Sequence, residues 1–348
     1  MPRLSYIDTA KGISIVMVAF AHSPLRFAYP EANEFMRLFR LPVFFFLSGV
    51  FLNVNVEWAG YLRKKADVLL KPFFTIQLLM LLIAIVFSDP RSVGAIVGIA
   101  YGNGATITNV PMWYLTHLWV VFFAATLLAQ FTGIESSRPL AKSLLVATLL
   151  IAGAFFIDVF WKLPVAFLGY QASLPGLPFS ADVVTVSLAF FLSGHFLAAQ
   201  VRCFKPNTLM FVLAGATVLL VSMNTGAFID LNHRRFNEPL AATIAAFGGI
   251  YAMLCIAYWV SQLSVLGKLI VPFGASSLFI LIFHGPTSNL AFLLVNHVSR
   301  IDSQETIMAI AFIIGVVLPI ILRQLVMLSP SIRLFLLPLY AFPRAQRA

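Results

Sequence analysis

The first apolar run of the chain, residues 8–25, contains three polar side chains whose spacing suits chemistry. Lys11 and His22 are eleven positions apart, which on a helix is about 20° from three full turns, so both lie on one face about 16 Å apart along the axis. Asp8 precedes Lys11 by three positions and can pair with it. These groups predict a polar path along one helix face that ends at an imidazole, which exchanges protons near neutral pH.

The same residues also fit an interpretation without chemistry. An ionised side chain at the centre of a lone membrane helix costs about 2.5–3.5 kcal/mol, which is why such residues are examined first for function. Lys11 can nevertheless extend its ammonium group to the membrane surface, and His22 can be satisfied by hydrogen bonds near the opposite surface. Composition does not decide between the two interpretations.

Three further positions are candidates. Ser48 precedes Gly49 near the end of the second apolar run, where a small pair permits close helix packing, the interpretation that we favour there. Trp113 opens the fourth run beside Tyr114, as in an interfacial aromatic belt. His284 lies deep in the ninth run, where it needs a partner and where a structural role is the more common one.

Four cations, which we call the basic cluster, lie between the second apolar run and the start of the third. They are Arg63, Lys64, Lys65 and Lys71, and the first three are expected in a loop. Such a group at a membrane face is typical of topology control or of contact with anionic lipids. It can equally hold the phosphates of an anionic nucleotide.

The composition excludes most classes of protein. Of 348 residues, 60% are hydrophobic and 10% are charged, and the mean hydropathy is +0.94. A soluble domain has about 45–50% apolar residues and about 25% charged residues. A soluble enzyme, a disordered chain, a coiled coil and a disulfide scaffold are therefore excluded. The two cysteines have no metal-ligand spacing. Basic cytoplasmic loops explain the net charge of +10 better than a nucleic-acid partner does, so we expect neither metal nor nucleic acid.

The hydropathy pattern predicts an all-α, polytopic membrane protein of about ten transmembrane helices, organised as one domain over residues 1–348. A membrane span needs about 20 apolar residues. The ten runs are residues 8–25, 36–53, 68–87, 112–131, 141–160, 183–200, 207–224, 240–260, 271–295 and 306–328. A weaker run, residues 93–101, is too short to span and is expected to be re-entrant or interfacial.

The distribution of Lys and Arg predicts the orientation. Thirteen of the 23 cations fall on the side of the N-terminus, and eight fall on the opposite side. Because cytoplasmic loops are enriched in these residues, we expect both termini and the basic cluster in the cytoplasm.

Four motifs in order resemble the integral-membrane acyltransferases of the acyltransferase-three family. The family's first span carries Arg or Lys, ten residues and then His, which Lys11 and His22 match. A Phe-Phe-Leu-Ser-Gly run is matched at residues 45–49, and a Trp-Phe-Leu run is matched as Trp113-Tyr114-Leu115. A Ser-Leu run that ends in His is matched at residues 277–284. The resemblance covers residues 6 to about 290, and fucose 4-O-acetylases come nearest.

The resemblance implies transfer of an acyl group, usually acetyl from acetyl-CoA, to a hydroxyl of a surface or lipid-linked carbohydrate. His22 would be the general base, and Lys11 would hold either the donor's entry or developing negative charge. The basic cluster would meet the phosphates of the cytoplasmic acyl-CoA, which is a substrate, so no permanently bound cofactor is expected. The enzyme would lie in the cell membrane, which is the inner membrane in a Gram-negative bacterium.

Two departures from the family pattern and two rival functions remain. The family often has two basic residues three apart before the third span, and here Lys65 fits the first position but Val68 occupies the second. His117 matches no family position.

The rival functions are a secondary transporter, which would need paired broken helices and central carboxylates, and a non-catalytic membrane partner in glycan assembly.

Overall fold

The structure is a computed structural model that describes residues 4–54, 57–87, 92–167, 170–298 and 301–339. Its α-helices, in chain order, are α1 (Ser5–His22), α2 (Pro30–Arg37), α3 (Arg40–Gly49), α4 (Trp58–Val86), α5 (Ser92–Tyr101), α6 (Trp113–Thr132), α7 (Pro139–Phe156), α8 (Val184–Phe196), α9 (Ala198–Arg202), α10 (Thr208–Asn224), α11 (Pro239–Gln262), α12 (Ser264–Ala275), α13 (Ser277–Val298), α14 (Gln304–Leu328) and α15 (Pro330–Leu336). This architecture confirms the predicted all-α class.

Shorter elements link the helices. Four 3₁₀ turns occupy Pro24–Phe27, Val110–Met112, Ile134–Ser136 and Pro178–Val183. Two antiparallel strand pairs, which the hydropathy pattern did not predict, are β1 (Trp161–Phe167) with β2 (Tyr170–Pro175) and β3 (Phe228–Asp230) with β4 (Arg235–Asn237).

Each of the ten predicted apolar runs contains a helix. Among the described residues, seven helical segments are long and apolar enough to cross a membrane, and they include α4, α6, α7, α8, α11, α13 and α14. The remaining three runs contain α1 with 18 residues, α3 with 10 and α10 with 17. The chain is therefore a polytopic membrane protein.

Three boundaries differ from those predicted. The second run is divided between the end of α2 and the ten residues of α3, because the chain departs from helical geometry at Phe39 and α3 ends at Gly49. The ninth run is divided between α12 and α13 at Ser276, where ψ is 12°. The helix of the third run, α4, begins at Trp58, so the expected loop at residues 63–65 is wrong.

The described chain forms two compact units. The first unit comprises residues 4–51, 190–230 and 235–324, and the second comprises residues 52–189, 231–234 and 325–339. The expected single-domain organisation stays a prediction, and the termini and their orientation lie outside the described residues.

In the first unit, α1 packs against α3, α11, α12 and α13. Two close helix approaches depend on glycine. A Cβ added at Gly274 would lie 2.2 Å from the Asp8 carbonyl oxygen, and one added at Gly49 would lie 1.8 Å from that of Phe191. Gly49 thus provides the close packing that was predicted for the Ser48-Gly49 pair, and the part played by Ser48 stays a prediction.

In the second unit, α4 packs against α5, α6 and α15, and α6 packs against the Pro178–Val183 turn. A fully buried ion pair stabilises this turn, because Arg234 Nε lies 2.9 Å from Asp182 Oδ2. The same guanidinium lies 4.6 Å from the Trp161 ring centre. Helix α5 and the loop after it border a cavity of about 620 Å³ together with the end of α4.

Candidate functional site

The site is centred on two imidazoles of the first unit. His22 is the last residue of α1, and His284 lies in α13, which packs against α1. The two ring centroids are 5.5 Å apart and the ring planes are inclined by 57°. The structure therefore brings together two predicted candidates that are 262 positions apart in the sequence.

The hydrogen bonding of His284 fixes its tautomer. Its side chain is buried, and Nδ1 lies 2.6 Å from the carbonyl oxygen of Ile280. Because a carbonyl oxygen only accepts, Nδ1 carries the proton and Nε2 of the neutral ring carries a lone pair. No group in the described part of the chain pairs with this buried Nε2. The imidazole is thus a base or acceptor that faces a second imidazole.

Three arginines that sequence reasoning did not select lie at the His22 end of the first unit. Arg26 Nη1 donates to the Ala21 carbonyl at 2.9 Å and so caps the end of α1. Arg40 donates to Asn33 Oδ1 at 3.2 Å, and Arg26, Arg40 and Asp230 all act electrostatically on His22. Anionic groups that arise at His22 would therefore meet a positive environment.

One sequence signal could have found these arginines. Arg26, Arg37 and Arg40 lie within fifteen positions on the predicted outer side, which the positive-inside rule depletes of such residues. Arg37 is held at 3.0 Å from Asp230 and 2.9 Å from Glu34, whereas Arg26 donates to a backbone carbonyl of α1 and Arg40 donates to the Asn33 amide oxygen.

Lys11 and Asp8 lie at the other end of α1. Lys11 Nζ lies 4.3 Å from the centre of the Phe51 ring, and Asp8 belongs to the first turn of the helix. The rise of an α-helix separates Lys11 from His22 by about 16 Å, which exceeds the reach of a lysine side chain. The two residues share a helix but do not act on the same atoms.

The basic cluster lies in the second unit, on α4. Arg63 and Lys64 are exposed. Lys65 Nζ lies 3.8 Å from the ring centre of Phe122 and 5.1 Å from that of Tyr61.

Lys71 is held differently from the other members of the basic cluster. Its Nζ lies 2.6 Å from Asp67 Oδ1, one turn earlier on the same helix, and Asp67 Oδ2 accepts from the Leu339 backbone. A carboxylate therefore already balances one of the four predicted donor-binding cations.

Trp113 also lies in the second unit, and the prediction of an interfacial belt is wrong for it. Its side chain is buried, and its ring centroid lies 5.4 Å from that of His117. His117 is fully buried, with Nδ1 3.3 Å from the Phe179 carbonyl oxygen and Nε2 2.8 Å from Ser187 Oγ. Both ring nitrogens are satisfied, which is typical of a structural histidine.

Within the described ranges, no three or more His, Cys, Asp or Glu side chains lie together so that they could hold a metal ion. Residues 4–323 match the sequence model of the acyltransferase-3 family, described as an acyltransferase domain. No curated protein matched the chain.

Proposed function

The chain belongs to the acyltransferase-3 family and is therefore a membrane acyltransferase, and we propose that it transfers acetyl from cytoplasmic acetyl-CoA to a hydroxyl of a surface or lipid-linked carbohydrate. The general reaction and the membrane setting follow from the family, since its matched region covers residues 4–323. The donor, the carbohydrate acceptor and the residue roles below are our proposal. The expected likeness to fucose 4-O-acetylases stays a prediction.

His22 is the general base in this proposal. A sugar hydroxyl is a weak nucleophile near neutral pH, and an imidazole with an ordinary pKa of about 6.5 suits its activation. His22 accepts the hydroxyl proton while the oxygen attacks the thioester carbonyl. The tetrahedral intermediate then collapses, the carbon–sulfur bond breaks, and His22 returns the proton to the departing thiolate. The products are an ester and free coenzyme A.

The observation that carries this assignment is the pairing of His22 with His284, at 5.5 Å between ring centroids. His284 Nε2 has a lone pair and no partner among the described residues. We assign His284 as a positioning residue, which accepts the second N–H of His22 when that ring becomes charged. Such an acceptor fixes the tautomer of a catalytic imidazole and stabilises its protonated form.

The cations divide into two roles. Arg26 caps the end of α1, whose last residue is His22, so its guanidinium suits the negative charge that develops on the thioester oxygen, and Arg40 adds a second positive charge to this environment. Lys11, about 16 Å away along α1, suits the entry of the donor instead. This division selects one of the two roles that the sequence left open for Lys11.

The basic cluster binds the donor phosphates in our proposal. Arg63 and Lys64 are exposed. Coenzyme A carries several negatively charged phosphate groups that can pair with these cations, whereas a neutral sugar has no charged group. This role requires α4 to begin in the cytoplasm, and we therefore place the enzyme in the cytoplasmic membrane, the inner membrane of a Gram-negative cell.

The orientation is tested by cysteine labelling. A cysteine introduced at Lys64 is expected to react with a membrane-impermeant reagent only in opened cells. Labelling in intact cells would reverse the topology and remove the donor-binding role of the basic cluster. Cys203 and Cys255 are first replaced by Ser, because Cys203 is exposed and would add its own label.

The function itself is tested by mass spectrometry of surface and lipid-linked glycans. Cells with the wild-type protein are expected to carry a species heavier by one acetyl group than cells without it. His22→Gln should remove this species, while His297→Gln, a change at an exposed histidine of α13, should retain it. Identical glycans with and without the protein would contradict the proposed acceptor.

A further inference from the structure

A second site lies at the start of α1, far from His22 along that helix. A cavity of about 370 Å³ is bordered by the N-terminal turn of α1, the end of α11 and the first turns of α12. Its polar lining consists of Ser5, Thr9, Ser261, Ser264 and Lys268, and Leu263, Val271 and Pro272 provide apolar walls. All these residues belong to the first unit.

The start of α12 is suited to an anion. This helix has 12 residues, and its N-cap residue, Leu263, makes no side-chain capping bond. The first backbone N–H groups of a helix have no intrahelical acceptor, and the helix dipole adds positive potential there. The exposed ammonium group of Lys268 lies in the second turn of the same helix and borders the cavity.

Thr9 provides an independent observation that points to a ligand. Its side chain is 0% exposed and lines the cavity. No group in the described ranges pairs with its hydroxyl oxygen. A buried hydroxyl without a partner destabilises the fold, so a ligand that accepts its hydrogen bond removes this penalty.

We infer that this cavity binds the phosphate group of an amphiphile, and that the phosphate is that of an anionic membrane lipid. A phosphate oxygen accepts from the Thr9 and serine hydroxyls, from the first N–H groups of α12 and from Lys268. One cation matches a single phosphodiester better than the several phosphates of coenzyme A. The apolar walls suit the attached glycerol and chains, and the predicted topology sets this end of α1 at the cytoplasmic membrane surface, where anionic lipids are enriched.

The test measures lipid retention without turnover, so it does not depend on the proposed function. The purified full chain is exchanged into detergent with phosphatidylglycerol or phosphatidylcholine, and bound lipid is counted by native mass spectrometry. The wild type is expected to retain one phosphatidylglycerol in preference to phosphatidylcholine. Lys268→Gln should weaken its binding about tenfold, the loss of about 1.4 kcal/mol expected for one contact.

Matched variants separate the site from a general effect of charge or folding. Thr9→Val removes the hydroxyl and should weaken phosphatidylglycerol binding several-fold, whereas Thr9→Ser keeps the hydroxyl and should bind as the wild type does. Lys205→Gln removes an exposed lysine of the first unit that does not border the cavity, and it should have no effect. Each variant is compared only where it is monodisperse.

Coenzyme A and inorganic phosphate distinguish the source of the phosphate. If Lys268→Gln weakens coenzyme A binding and leaves phosphatidylglycerol retention unchanged, the site binds phosphate from the nucleotide, and the lipid assignment is overturned. If Lys268→Gln and Thr9→Val retain both ligands as well as Lys205→Gln does, the phosphate site itself is overturned. If inorganic phosphate displaces phosphatidylglycerol only weakly, the lipid assignment is supported, because the apolar walls then contribute to the affinity for the lipid.

Discussion

Two buried histidines, one in each unit, have the same tautomer but different surroundings. In both His284 and His117, Nδ1 faces a backbone carbonyl oxygen and therefore carries the proton. In His117, Nε2 is 2.8 Å from the Ser187 hydroxyl. In His284, Nε2 has no partner among the described residues and the ring faces His22 at 5.5 Å.

This difference separates a structural histidine from a chemical one better than burial does, because both rings are buried. His117 Nδ1 donates a hydrogen bond to the carbonyl oxygen of Phe179. Phe179 has a φ of 55°, in the left-handed region, and such a backbone conformation persists only where the surrounding structure stabilises it. His284 leaves an acceptor open beside an imidazole that ends α1. The second arrangement costs stability and is therefore expected where function requires it.

The largest expected effect follows from His22→Gln. General base catalysis contributes about 10²–10⁴-fold to a rate, so acetyl transfer by the purified protein should fall by at least about 10²-fold. Expression and monodispersity should not change, because His22 is the last residue of α1 and Gln keeps a polar side chain of similar length there. His297→Gln is the control and should keep the wild-type rate. Near-normal transfer by His22→Gln would make His284 the leading candidate for the base.

A smaller effect is expected at His284, which acts through His22. His284→Leu removes the acceptor and should lower kcat about tenfold, which corresponds to about 1.4 kcal/mol, with little change in KM. His284→Gln can present an amide oxygen near the position of Nε2 and should recover part of kcat. Equal losses in the two variants, or a loss confined to KM, would contradict the positioning role.

His117→Leu should act on stability instead. It leaves the Phe179 carbonyl and the Ser187 hydroxyl without their partner, and an unsatisfied buried group costs about 1–3 kcal/mol. The thermal midpoint should fall, while the rate per folded molecule should stay near that of the wild type. Loss of turnover in the folded fraction would assign chemistry to the second unit.

The smallest effects are expected in the basic cluster. Lys65→Gln should raise KM for acetyl-CoA several-fold and leave KM for the acceptor unchanged, whereas Lys65→Arg should retain the charge and most of the affinity. Lys71→Gln should change KM less, because Asp67 already balances this cation at 2.6 Å. Steady-state kinetics with each substrate varied in turn measures both constants. An effect confined to the acceptor would refute the role of this cluster.

Sequence periodicity predicted part of this fold and site. The eleven-residue spacing identified Lys11 and His22 on one helix, and the apolar runs located ten helices, because both depend on local patterns. The pairing of His22 with His284 depends on packing between α1 and α13, which no local pattern encodes. The pairing of Lys71 with Asp67 was missed for a different reason. A loop was expected before residue 68, whereas α4 begins at Trp58 and therefore places Asp67 one helical turn before Lys71.

The break at Ser276 and the two strand pairs were also missed. Ser276 lies inside a continuous apolar sequence, where periodicity does not distinguish one long helix from two short ones. Arg26 lies beside His22 because it donates to the Ala21 carbonyl and so caps α1, and this contact depends on the path of the chain after the helix, which the apolar pattern does not predict.

The central claim is that the imidazole pair of the first unit performs chemistry and that His117 of the second unit maintains structure. The most direct test is a paired measurement, on the same preparations, of acetyl transfer per folded molecule and thermal midpoint for His22→Gln and His117→Gln. We predict that His22→Gln abolishes acetyl transfer without lowering the thermal midpoint. We predict that His117→Gln lowers the thermal midpoint without lowering acetyl transfer per folded molecule. Transfer retained by His22→Gln, together with transfer lost by folded His117→Gln, would contradict the account.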